Sequence, residues 1–285
     1  MKSKLLLTVI TLATLAVGQR AFAQLEAYWS FDSKTGTTVS DLSAGGTHDG
    51  TLVGGADITA GNMGFGGSGE ALNLTGNGQH FAAGSPTTFD FNSSFTWHAY
   101  INSTDNSGAI FSRNPAGTAW NQGSKALFVR SDTVQWDTGW VGNPGTGTDA
   151  PDGNWHQLVA TYEAGSDNLQ IFVDGASVYN ATHDVNRFDE HTHSHNGGFA
   201  DTSFTVGEAD FSGGLNNLDT LQGRIDEAAV FNTNLTGTEL QQLFDEGPAS
   251  FAPQTVVPEP ASIAIWSLLA LALGGFGYYR SRRRG

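Results

Sequence analysis

Two sets of side chains in this sequence could do chemistry. His183, His191, His193 and His195 fall in one segment with Asp184, Asp189 and Glu190. In an extended chain His191, His193 and His195 share a face, and imidazoles suit zinc, copper or nickel. The stretch is polar and flanked by glycine, so a solvated loop is the competing reading. Trp120, Trp136 and Trp140 lie in stretches rich in Gly and Asn, beside Asn121, Asp137 and Asn143. Aromatic faces next to amides and carboxylates can stack on a sugar and hydrogen-bond it. Tryptophan also packs well, so core or rim is the competing role for each. The chain has no cysteine, which excludes disulfides, thiol catalysis and thiolate metal sites.

The elements that would position these groups are strands. Apolar residues make up 39% of the chain and aromatics 11%, against only 14% charged and 37 glycines. Turn-rich, charge-poor, aromatic-rich chains are usually all-β. The period is mostly two. Phe95, Trp97, Ala99 and Ile101 fall on one face of residues 95–101. Lys125–Val134, His156–Tyr162, Ala71–Leu74, Ala109–Ser112 and Ser203–Val206 are further strand candidates, separated by Gly-Gly pairs and Pro144-Gly145. Leu169–Val173, Asp174-Gly175 and Ala176–Tyr179 read as a hairpin, because Asp-Gly accepts positive φ at both turn positions. Gly223–Phe231 reads as a last strand. Thr236 and Glu239 have capping-box spacing, and Leu240, Leu243 and Phe244 form one stripe of a short helix ended by Gly247 and Pro248.

The two ends are addresses. Lys2 and Lys4, the apolar run Leu5–Val17 and Ala21-Phe22-Ala23 read as a signal peptide over 1–23. An uncleaved anchor is the alternative. Residues 248–257 form a linker. Pro258-Glu259-Pro260 is followed by an apolar run, Ala261–Tyr279, and then by Arg280 and Arg282–Arg284. Such a run, as a helix rising ~1.5 Å per residue, just spans the hydrocarbon layer. The arginines stay cytoplasmic, leaving the domain outside. These parts in this order over 258–285 resemble the PEP-CTERM sorting signal of Gram-negative bacteria. The resemblance implies an exosortase-type processing partner and sorting to the surface or matrix; a plain C-terminal anchor is the alternative. Between the ends, residues 24–257 carry a formal charge of −21 against −15 for the whole chain. That surface repels nucleic acid and suits divalent cations or neutral partners such as glycans.

The order of the central segments carries a second resemblance. Tyr28–Asp32, His48–Leu52, Ala71–Leu74, Trp155–Tyr162, Ile171–Gly175, Ile225–Glu227 and Leu235–Leu240 follow one another as in the laminin-G-like branch of the concanavalin A-like lectin/glucanase superfamily. The resemblance covers about residues 25–247. It implies a two-sheet antiparallel jelly-roll sandwich, with the C-terminal transmembrane helix (261–279) added. It also implies a calcium ion where the first and last strands meet, with Asp32 and Asp226 in the matching segments and Asp41 adding a carboxylate from the following loop. Related glucanases carry Glu-x-Asp-x-x-Glu on one strand, and this chain has no such run. Asp226 and Glu227 are adjacent and would point to opposite faces of a regular strand. Glu208 and Asp210 share a face but stand alone among glycines. The expectation is a non-catalytic binding or display module for a polysaccharide or surface protein. The rival is a cell-surface carbohydrate-active enzyme, and a ligand-free spacer is a third reading.

Overall fold

The computed structural model describes residues 25–60, 69–83, 89–115, 120, 122–188, 202–209 and 220–252. The expected signal peptide, His191, His193, His195, Asp210, Pro258-Glu259-Pro260 and the 261–279 span lie outside the described residues. Among the described residues, no helix is long and apolar enough to cross a membrane. Packing divides the chain into units over Met1–Ala252 and Pro253–Gly285, and the described residues fall in the first.

Among the described residues sixteen strands follow in chain order. They are β1 (Leu25–Trp29), β2 (Thr38–Val39), β3 (Gly50–Val53), β4 (Asp57–Ala60), β5 (Glu70–Leu74) and β6 (His80–Ala82). Next come β7 (Phe95–Ser103), β8 (Ser107–Pro115), β9 (Lys125–Arg130), β10 (Thr133–Thr138) and β11 (Gly145–Asp149). Last are β12 (Trp155–Glu163), β13 (Asn168–Val173), β14 (Ala176–Thr182), β15 (Thr202–Val206) and β16 (Gly223–Phe231), before helix α1 (Gly237–Glu246). One sheet runs β14-β13-β12-β7-β16-β5-β4, with β1 also on β16. The other runs β11-β10-β9-β8-β15-β6-β3-β2. Every pairing between these strands is antiparallel.

The strand period decides what fills the space between the sheets. Phe95, Trp97, Ala99 and Ile101 of β7 all enter one buried cluster with Leu127 and Val129 of β9 and Val134 and Trp136 of β10. At its centre the Trp97 ring lies 5.0 Å from Trp136, 5.1 Å from Phe91 and 5.3 Å from Phe204. Full burial of one such ring is worth about 2–3 kcal/mol. With no cysteine in the chain, this aromatic centre joins the two layers.

Two turns show how local chemistry sets the register. Asp174 and Gly175 have φ of 50° and 75°, the expected type I′ hairpin, with Val173 opposite Ala176. Ser131 and Asp132 have φ of 50° and 67°. They therefore break the single strand expected over Lys125–Val134 into β9 and β10, with Arg130 opposite Thr133. Helix α1 begins where the Thr236 N–H donates to Glu239 at 3.4 Å, and Gly247 closes it by donating to the Leu243 carbonyl. Leu240, Leu243 and Phe244 then cover Leu25, Tyr28, Val159, Phe172 and Phe231 on the outer face of the first sheet.

The first and last strands lie side by side, as the resemblance implied. β16 pairs with β5 through Gly223–Ile225, then with β1 through Ala228–Phe231. Between these stretches its register against β7 slips, from Asp226 opposite Tyr100 to Ala229 opposite His98. Glu227 takes φ of 52° inside that bulge. The ends of β1 and β5 meet there, and the Glu70 N–H donates to Asp32 at 3.2 Å.

Candidate functional site

The bulge gathers carboxylates. The alternation of a regular strand would separate Asp226 from Glu227, but the positive φ at Glu227 and the slipped register remove that alternation. Asp226 is 1% exposed, and among the described residues the one hydrogen bond to its carboxylate comes from the Glu227 N–H at 2.9 Å. Burial first, then the charges of Glu227 and Asp32, push Asp226 up to about 9, so it holds a proton at pH 7. Burial and the Asp32 charge push Glu227 up to about 7, against a hydrogen bond from the Tyr28 hydroxyl. Burial and Glu227 in turn raise the Tyr28 phenol. Asp32 therefore shares one electrostatic neighbourhood with Asp226 and Glu227. Gly69 makes room for it, since a Cβ there would lie 2.4 Å from Asp32 Oδ1.

Asp41 belongs elsewhere. Its carboxylate accepts from the backbone N–H groups of Tyr28, Ser43 and His48, from the Ser43 hydroxyl and from the His48 ring. Burial alone would raise its pKa, but these hydrogen bonds, led by His48, hold it below the usual range. Both its oxygens are taken by these donors, and it organises the loop between β2 and β3. Asp32 and Asp226 would offer carboxylate oxygens of the kind that calcium takes, and Asp41 stands apart from them. Among the described residues, no three His, Asp or Glu side chains converge tightly enough to hold a metal by themselves. An ion at the junction would need backbone carbonyls or water as well.

The three tryptophans separate completely. Trp136 is fully buried in the aromatic centre, with its ring nitrogen donating to Thr138 Oγ1 at 2.8 Å. That removes it as a ligand-binding residue, because no ligand can reach its face. Trp120 is half-buried against Ala109, Ala126, Phe128 and Ala209 on the outer face of the second sheet. Trp140 is 61% exposed. It occupies the third position of a turn closed by Val141 N–H to the Thr138 carbonyl at 2.8 Å, with φ of 64°. Glycine is the usual residue there, and a non-glycine residue costs of order 1 kcal/mol or more. The turn is nonetheless fixed. Gly139 donates to Ser124, Gly123 donates to Gly139, and Thr138 and Gly142 exchange both backbone hydrogen bonds at 3.1 Å. Asn143 is exposed two residues beyond the Gly139–Val141 tip, and His183 Nε2 reaches Thr138 Oγ1 at 3.3 Å. Asp137 of β10 is buried, and that burial lifts it to about 7 against the opposing charge of Arg130.

Three other carboxylates face histidines. Glu208 pairs with His80. Asp174 and Asp152 flank His156, at 2.7 Å from Nδ1 and 3.0 Å from Nε2.

A sandwich with its two end strands adjacent and a short helix closing one face has known counterparts. The laminin G model described as the concanavalin A-like lectin/glucanases superfamily matches residues 75–241, more than half of the chain. The chain belongs to this superfamily. The PEP-CTERM protein-sorting motif matches residues 256–284 of this lectin/glucanase-type protein, and that signal marks an exported, membrane-anchored chain. Domain 4 of AbnA, a GH43 extracellular arabinanase from Geobacillus stearothermophilus solved in complex with arabinotriose, is similar with a TM-score of 0.56. Identity there is 19%, over 78% of this chain and 98% of that one. Trypanosoma rangeli sialidase in complex with sialic acid has a TM-score of 0.56 at 15% identity, over 81% of this chain and 34% of the sialidase. The binding domain of Paraclostridial Mosquitocidal Protein 1 has a TM-score of 0.54 at 13% identity, over 78% and 52%. At these identities the likeness is one of fold. No curated protein matches the sequence.

Sequence reasoning missed Glu227 and Tyr28 as members of the junction. The signal available was the adjacency of two acids in Ile225-Asp226-Glu227, which a strand packed on both faces cannot accommodate without a bulge.

Proposed function

We propose that this protein is a non-catalytic binding and display module of the cell envelope that holds a carbohydrate against Trp140. The carrying observation is the Trp140 turn. A large aromatic side chain is held in solvent, at a backbone position that favours glycine, by a turn with five fixed backbone hydrogen bonds. Both features cost stability, and a rigid aromatic face is what stacking on a sugar ring requires. The arabinotriose complex of AbnA domain 4 supports the reading, because a domain of this fold holds an oligosaccharide there. Hydrolysis needs two accessible carboxyl groups across a bond; of the acids weighed for that role from the sequence, Asp226 is buried and Glu208 is paired with His80. The tail would be processed by an exosortase-type enzyme, with the domain outside the cytoplasm and passed to the surface or matrix.

The test is a glycan array probed with the full chain in detergent. Binding to a subset of glycans is expected, and Trp140→Ala should abolish it with the circular dichroism spectrum unchanged. Equal binding by both would sink the platform. Release of reducing sugar from the bound glycans would establish the enzymatic rival, and capture of a surface protein alone would replace the sugar.

The same reading gives the junction a structural calcium ion held by Asp32 and Asp226, with Glu227 alongside. When bound, the ion would neutralise the gathered carboxylates and tie β1 to β16. Melting the protein in calcium and in chelator checks this. A higher midpoint in calcium is expected, and equal midpoints count against the ion.

A further inference from the structure

A line of buried hydrogen bonds runs from helix α1 to the bulge. His98 of β7 is fully buried on the outer face of the first sheet. Its Nδ1 lies 2.9 Å from the Glu227 carbonyl, and its Nε2 lies 3.1 Å from Gln157 Nε2. The same Gln157 nitrogen donates to the Leu243 carbonyl of α1 at 3.1 Å. The partners fix the protons. A carbonyl only accepts, so Nδ1 carries the hydrogen; an amide nitrogen only donates, so Nε2 is the bare acceptor. The ring is neutral, and burial, which lowers its pKa to about 4, agrees with that.

This bond falls where the ladder fails. A bulge leaves its extra residue without a regular partner, and a buried carbonyl left alone costs about as much as a lost hydrogen bond. Glu227 is that residue, turned to φ of 52° between the stretch of β16 on β5 and the stretch on β1. His98 supplies the partner from the neighbouring strand. Gln157, from the strand beyond, supplies the other half of the geometry only while Leu243 of the docked helix holds its amide.

We propose that His98 is a positioning residue for the cation site. By taking the Glu227 carbonyl it fixes the bulge that sets Asp226 and Glu227 in the same electrostatic neighbourhood as Asp32, and through Gln157 it makes that arrangement depend on the docked helix. The proposal rests on the calcium reading of the junction. Helix docking and ion affinity are then coupled in both directions.

The experiment titrates calcium chloride into the full-length protein in detergent by calorimetry, for wild type, His98→Asn, His98→Gln and His98→Leu. An asparagine amide can stand where Nδ1 stands, and a glutamine amide where Nε2 stands. His98→Asn should therefore keep affinity within about threefold, while His98→Gln and His98→Leu lose about 10–100-fold, the usual cost of removing a partner that orients a ligand. Near-ultraviolet circular dichroism confirms that each variant is folded. If the leucine variant does not fold, the asparagine–glutamine difference still decides, because a purely structural role gives no reason for that order. Equal affinity in all four proteins overturns the proposal while leaving the calcium site standing. No binding by wild type removes the calcium reading and the proposal with it. A long-range proton–nitrogen spectrum gives a separate readout without calcium. Hydrogen on Nδ1 of His98 is expected, and hydrogen on Nε2 overturns the relay.

Discussion

The loop that holds Asp41 and the bulge that holds Asp226 bury the same side chain in opposite ways. Asp41 is 7% exposed and Asp226 1% exposed, so burial does not distinguish them. The donors do. Asp41 accepts five hydrogen bonds, and they outweigh its burial to hold its pKa low. Among the described residues Asp226 accepts one, and burial with the charges of Glu227 and Asp32 lifts it to about 9. The first carboxylate has its acceptor sites filled by nearby donors, whereas the second accepts a single bond from its own neighbour. A buried acid is thus informative only after its donors are counted.

Four substitutions break or sharpen this contrast. Asp41→Asn should lower stability by about 2–4 kcal/mol, because it replaces an acceptor with a donor opposite the Tyr28, Ser43 and His48 N–H groups. Chemical denaturation at pH 7 measures the loss, and a neutral result would show that the loop does not need the charge. Asp226→Asn should move stability the other way in chelator, by a gain on the order of 1–3 kcal/mol, since the neutral amide mimics the protonated acid. It should also erase any gain from calcium. A loss in chelator would mean that the ionised carboxylate has a partner in the fold. Trp140→Gly extends the comparison to the second sheet. It should raise stability by about 0.5–1 kcal/mol by relieving the positive φ, while glycan binding disappears. If both properties fall together, the platform is structural.

The smallest effect is at His156, whose two nitrogens face Asp174 and Asp152. Burial would lower its pKa, but the two carboxylates outweigh burial and raise it. A folded pKa above the unfolded value gives stability that is full below about pH 6.5 and lost as pH rises through the folded value. His156→Ala should therefore lower the melting point slightly at pH 6 and leave it unchanged at pH 9. Solvent around the half-exposed aspartates keeps the effect small. The same loss at both pH values would show packing, not charge, at work.

Much of the fold was legible because periodicity reports burial directly. Phe95, Trp97, Ala99 and Ile101 face the core as their spacing required, and Asp174-Gly175 turns as its residue types required. The adjacency of β1 and β16 followed from the order of segments in the family. The site was less legible. Asp226 and Glu227 share a neighbourhood only because of a register slip, and no pattern within one strand encodes where two other strands end against it. The donors on Asp41 come from residues 28, 43 and 48, a convergence made by the loop. Trp136 and Trp140 sit in similar company in the sequence. The alternation of Val134 and Trp136 could have assigned the first to the core, whereas the exposure of the second depends on a turn conformation that its residue type disfavours.

β16 is the last strand among the described residues, yet it lies inside its sheet, with β7 on one side and β5 and β1 on the other. The first sheet cannot close until residue 231 has joined it. That closing step joins segments far apart in the sequence, Leu25–Trp29 with Ala228–Phe231, and pairings of such long range slow folding because the loop between them must be closed first.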